Sequence, residues 1–128
     1  MEAVLKISSV ALGGAIGAVA RYLINISPLA GAVGKFPLPT FLINISGSFL
    51  IGLLLMSLAG RFEANDNLRL VLIVGFLGAF TTFSTFEAEI YTLLREREIV
   101  TGFLYLFLSI FLGFVGMAAG VELGRRLQ

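Results

Sequence analysis

Gly75-Phe76-Leu77-Gly78-Ala79-Phe80-Thr81-Thr82-Phe83-Ser84-Thr85-Phe86 lies inside an apolar run that begins near Leu68, and its make-up is wrong for an uninterrupted helix facing lipid. Gly75 and Gly78 weaken helix continuity. Thr81, Thr82, Ser84 and Thr85 crowd four hydroxyls into five positions. Phe83 and Phe86 are three residues apart and share a helix face. Irregular backbone at membrane depth survives only where protein buries it or water reaches it. Such a break frees carbonyls that hold a cation and N–H groups that face an anion. The same residues also suit a softened helix packed closely on a neighbour, because small side chains let helices approach. Both readings stay open at this point.

The surrounding composition places the chain in a membrane. Of its 128 residues, 58% are hydrophobic, and the mean hydropathy is +0.99. Soluble domains are about 45–50% apolar. The absence of Cys excludes a disulfide framework and a thiolate metal site. The absence of His removes the commonest general base and metal ligand. No Ser has an evident base, so no catalytic constellation appears and no enzyme is expected. A net charge of +1 argues against nucleic acid as a partner. The apolar N-terminus has no signal-peptide cleavage pattern and runs on far enough to read as a membrane helix.

At about 20 residues per crossing, four spans fit: Val4 to Ile26, Pro39 to Ala59, Leu68 to Leu94 around the interrupted stretch, and Val100 to Leu123. Residues 1–128 then form one four-helix transmembrane domain. The expected connections are a Pro- and Gly-containing loop from Ser27 to Leu38, a loop from Gly60 to Asn67, and a tight charged turn, Arg95-Glu96-Arg97-Glu98. An even number of spans puts both termini on one side, with Lys6, Arg61, Arg69, Arg125 and Arg126. The other side holds Lys35, Arg95 and Arg97, plus Arg21 if it reaches that end. Five against three or four is a weak bias, compatible with one orientation or with insertion both ways round. So small a bundle encloses little by itself, and a two-fold dimer is the commonest way to enclose more. Two oppositely oriented copies would reproduce the geometry that inverted repeats give larger transporters.

Polar residues mark the interior. Arg21 is either a functional intramembrane charge favouring an anion or an end-of-helix Arg that snorkels beside Tyr22. Thr40, Asn44 and Ser48 follow an i, i+4, i+8 stripe, with Gly47 and Gly52 beside it. The Asn amide can donate to an anion or simply join helices. Tyr105 and Ser109 are again four apart, with Gly113 next. The row Gly113, Gly116, Gly120 and Gly124 reads as packing. Of Glu87 and Glu89, one is expected to face a wet cavity or the helix end.

These residues resemble the Fluc/CrcB family of fluoride channels over essentially the whole chain. The matching motifs are Gly14-x-x-Gly17-Ala18-x-x-Arg21-Tyr22, Thr40-x-x-x-Asn44-x-x-Gly47-Ser48-Phe49-x-x-Gly52 and Gly75-x-x-Gly78-x-x-Thr81-Thr82-Phe83-Ser84-Thr85-Phe86. Tyr105 and Ser109 match more loosely. The resemblance implies an all-α membrane protein of four transmembrane helices, the third broken mid-membrane, assembled as an antiparallel, dual-topology homodimer. It implies passive fluoride export for fluoride resistance, through two pores, in the cell's inner (plasma) membrane. The carbonyls matching Gly78 and Thr81 of both subunits would hold a central structural Na⁺. Phe83 and Phe86 would line the pores, offering F⁻ the positive edges of their rings. Asn44 matches a pore donor, and Thr40, Tyr105 and Ser109 a polar track, with Arg21 counted to the same pathway. Gly113 departs from the Ser expected one turn on from Ser109, which puts a hydroxyl contact at that level in doubt. Glu89 matches an acidic position.

A different class with the same outline is the small multidrug-resistance type of proton-coupled exporter. It needs a carboxylate within the first span, where this chain has Arg21 and no acid after Glu2. A structural membrane subunit without transport is a third possibility.

Overall fold

In the computed structural model, which describes residues 1–127, the chain is helical almost throughout, and no strand occurs among the described residues. Four helical stretches are long and apolar enough to cross a membrane: Glu2–Asn25, Leu38–Ser57, Asp66–Arg95 and Ile99–Arg126. They are the first to fourth spans below. Their outward faces are apolar as well; Phe103, Phe107, Phe111 and Phe114 of the fourth span all stand exposed. A helix that is apolar all round belongs in lipid or in a large core, and this chain is too small for the second.

All four helices begin one or two residues before the expected runs, and the third and fourth also continue past them, while the first and second end slightly short. Glu2 and Asp66 occupy first turns, while Arg95, Arg125 and Arg126 occupy last turns. Acids at N-termini and bases at C-termini complement the helix dipole, so polar ends extend the helices. The Gly60–Asn67 connection, expected to be a loop, is instead mostly helical. Ala59–Ala64 forms a short helix, and the Asn65 side chain accepts the Leu68 N–H at 3.2 Å to cap the next. Asn favours that position because its oxygen replaces a missing helical acceptor. The Ser27–Leu38 connection is a chain of turns, in which Gly31 and Gly34 adopt φ of +81° and +56°.

Glycines set the close approaches. The first span lies against a π-helical stretch, Leu70–Leu77, of the third. A Cβ on Gly17 would fall 2.2 Å from the Phe76 carbonyl oxygen, and one on Gly75 would fall 2.6 Å from that of Val10. The second and fourth spans also pack closely, with a Cβ on Gly120 only 2.1 Å from the Phe49 carbonyl. The expected packing row, Gly113 to Gly124, thus meets the second span. Gly116 and Gly120 face Ile45 and Phe49 backbone, and Gly124 faces Leu53 and Met56. Such overpacking costs about 1–3 kcal/mol where neighbours give, and more where they are backbone.

The core comes in two parts. Ile43, Leu77 and Phe80 form one cluster; Phe86, Leu93 and Tyr105 form the other. Between them, on the third span, lie Thr81, Thr82 and Phe83, outside either helical segment.

Candidate functional site

Helical bonding lapses between Phe80 and Ser84, and the second span determines where. Thr81 is extended, with φ −77° and ψ 157°. The Thr82 N–H donates to Asn44 Oδ1 at 2.9 Å, and Asn44 Nδ2 donates to the Thr82 carbonyl at 3.0 Å. One side-chain amide therefore replaces two backbone partners. Gly47, one turn along, permits the approach: a Cβ there would fall 2.2 Å from Thr81 Cγ2. On the far side, the Thr85 N–H turns to Thr82 Oγ1 at 3.3 Å, and Thr82 Oγ1 itself donates to Thr85 Oγ1 at 3.0 Å.

Two carbonyls lose their helical donors by this exchange. In an unbroken helix the Thr82 amide would reach Gly78 and the Thr85 amide would reach Thr81. Gly78 and Thr81 both line a cavity of about 540 Å³, together with Asn44, Ser48, Thr82 and Phe83. The neighbouring Ala79 carbonyl is taken, accepting from Arg21 Nε at 3.0 Å. Arg21 thus braces the third span, and it lies outside the three cavities described here. Among the described residues no group of three or more acids could hold a metal ion. Oxygens of the Gly78 and Thr81 type suit a hard, weakly charged cation, so the residues present fit such an ion.

Beyond the interruption lie the two phenylalanines. Phe83 is 70% exposed beside the cavity, and Phe86 is buried. Their centroids are 6.2 Å apart, and Phe86 meets Tyr105 edge-on at 5.0 Å. Tyr105 OH donates to Glu89 Oε2 at 2.6 Å, while Thr40 Oγ1 donates to Glu89 Oε1 at 2.8 Å. Both hydroxyls donate to the same side chain, and so tie the second and fourth spans to Glu89 of the third. Ser109 Oγ is buried without a hydrogen-bond partner among the described residues. Gly113 faces Ser48 Oγ, 3.7 Å from where a Cβ would stand. Glu87 points outward and makes no ion pair among the described residues. Where the third and fourth spans meet, Lys35 Nζ lies 3.1 Å from Glu96 Oε2 and 3.2 Å from Glu98 Oε1. Hydrogen bonding to Glu96 first, then Glu98, holds its pKa above the usual lysine value.

The structure therefore brings Asn44 and Phe83 to one cavity, links Phe86 through Tyr105 and Glu89 to Thr40, and sets Arg21 against the Ala79 carbonyl. No hydrogen bond joins Ser109 to them among the described residues. Sequence reasoning missed Glu89 as the anchor of Thr40 and Tyr105. Its signal was present: an acid within an apolar span needs donors, and those two hydroxyls share its level.

The profile of a family described as CrcB-like protein, Camphor Resistance (CrcB), matches residues 8–121. Curated relatives bear the name fluoride-specific ion channel FluC. One from Hahella chejuensis is 43% identical over 118 residues, covering 91% of each chain. One from Ignicoccus hospitalis is 45% identical over 121 residues, covering 92% of this chain and 94% of its own. One from Agrobacterium fabrum is 41% identical over 123 residues, covering 96% and 98%.

Replacing Asn44 with Ala should leave the Thr82 N–H and carbonyl without partners, at about 1–3 kcal/mol each. Unfolding in detergent should show that loss; a change within about 0.5 kcal/mol, as at an ordinary surface position, would contradict the role given to Asn44.

Proposed function

The chain belongs to the CrcB-like family, and on that premise we propose that it conducts fluoride passively across the cell's inner membrane. The observation that carries the proposal is the placement of two phenylalanines between two polar places. Phe83 lines the cavity that holds Asn44, and Phe86 packs on Tyr105, whose hydroxyl leads to Glu89 and Thr40. An anion leaving the Asn44 side meets ring edges, which carry the positive end of the aromatic quadrupole. It then meets the hydroxyls of Tyr105, Thr40 and Ser109. The unpartnered Ser109 Oγ supports this route, since a buried hydroxyl without a bond costs free energy unless something passes that uses it. Fluoride suits such a path because it is small and a strong acceptor.

The functional unit is an antiparallel homodimer with two such paths and with the third helix of each copy broken at membrane depth. Two features support a second copy. An exposed Phe83 beside a polar cavity and an exposed Glu87 both lie on a span that otherwise faces lipid, where polar groups need protein or water. The near balance of Lys and Arg supports insertion in both orientations. The Gly78 and Thr81 carbonyls of both copies would hold Na⁺, which would supply fixed positive charge and partners for those oxygens. Nothing favours a proton-coupled exporter. The first span's one acid, Glu2, lies at its exposed end, 2.9 Å from Lys6.

Purified protein in liposomes should release fluoride and retain chloride. Phe83→Ile or Phe86→Ile should cut fluoride efflux by about tenfold or more, the factor that about 1.4 kcal/mol represents, while the dimer still assembles. Near-normal flux in both variants would refute the ring-edge path. A C-terminal tag should be reachable from both faces of one membrane; labelling from one face alone would rule out dual topology.

A further inference from the structure

We propose that Lys35 is the outer anion station of this path, and that Glu96 and Glu98 restrain its charge there; the inference rests on the channel reading above. Lys35 and Pro37 line two cavities, of about 350 and 320 Å³. Glu89 lines both as well. Inward of Glu89 lie Thr40 and Tyr105, already bonded to it. Outward, Lys35 is the one cation among the described residues lining either cavity. Arg95 and Arg97 of the adjacent turn line neither. An anion entering either cavity from solvent would therefore meet Lys35.

The lysine is held from both ends. Its neighbour Phe36 meets Phe41 and Tyr105 edge-on, at 5.1 and 5.3 Å, which fixes the backbone beside the polar track. Its ammonium lies between two carboxylates at 3.1 and 3.2 Å. The turn that delivers those carboxylates is built for it. The Glu98 N–H returns to the Leu93 carbonyl at 2.9 Å and Arg97 takes φ 63°, a left-handed helix stop that ordinarily uses glycine. The two carboxylates oppose an anion beside them, and the Lys35 ammonium offsets half of their charge.

The ligand class is a small, hydrated, singly charged anion. One unit charge about 7 Å from an ion in water changes its local concentration about two- to threefold, and salt screens the effect beyond a Debye length. The experiment is fluoride efflux from liposomes containing wild type, Lys35→Met, Lys35→Arg or Glu96→Gln/Glu98→Gln, at low and at high ionic strength. At low salt Lys35→Met should slow efflux about two- to threefold and the double Gln variant should speed it by a similar factor, both converging on wild type at about 0.5 M salt, where screening is within a few ångströms. Lys35→Arg should match wild type. Equal rates in all variants at low salt would overturn the proposal, as would changes that persist at high salt, which mark a merely structural role. If the double variant fails to assemble, the contrast between Lys35→Met and Lys35→Arg decides alone. Wild-type protein that passes no fluoride overturns the channel reading, and this inference with it.

Discussion

The exchange of hydrogen bonds between Asn44 and Thr82 is the constraint on which the rest of this structure depends. A backbone amide in an apolar span must be paired. Helix geometry would pair the Thr82 amide with Gly78; Asn44 takes it instead, and takes the Thr82 carbonyl too. The third span can then bend out of helical geometry without leaving Thr82 unpaired. Phe83 stands exposed and Phe86 buried, with their rings 6.2 Å apart, just beyond the exchange.

Packing makes the exchange possible. Gly47 lets the second span come close enough for Asn44 to reach, and Gly17 and Gly75 seat the π-helical stretch against the first span. Arg21 secures the Ala79 carbonyl next to the open pair. Extra separation at Gly47 would take Asn44 out of reach of Thr82. The outer half is organised in the same way around Glu89, which collects Thr40 and Tyr105.

Much of this was legible in the sequence. Four apolar runs and their spacing carry the class, and every helix end falls within about three residues of the expected run. The crowding of Thr81, Thr82, Ser84 and Thr85 pointed to the right place on the third span. The cause assigned to it was only partly right. Gly75 and Gly78 are themselves within helical segments, and it is a side chain 38 residues away that diverts Thr82. Local propensity does not contain such a partner. The Gly60–Asn67 stretch was misread because its polarity looked like a loop, whereas an Asn65 cap and acids and bases at suitable ends favour short helices. Arg21 admitted two readings, intramembrane charge or snorkelling end, and its actual bond to the Ala79 carbonyl required knowing how the first and third spans register.

In the proposed dimer, a cation would use the Gly78 and Thr81 carbonyls that the Asn44 exchange leaves open. Long dialysis of the purified protein from Na⁺ into a larger cation tests this most directly, with thermal stability and fluoride flux followed together. A ligand of the assembled dimer stabilises it by mass action, and a buried ion exchanges slowly. The account predicts a slow fall in both quantities that Na⁺ re-addition reverses. Unchanged stability and flux, with Na⁺ demonstrably gone, would contradict it.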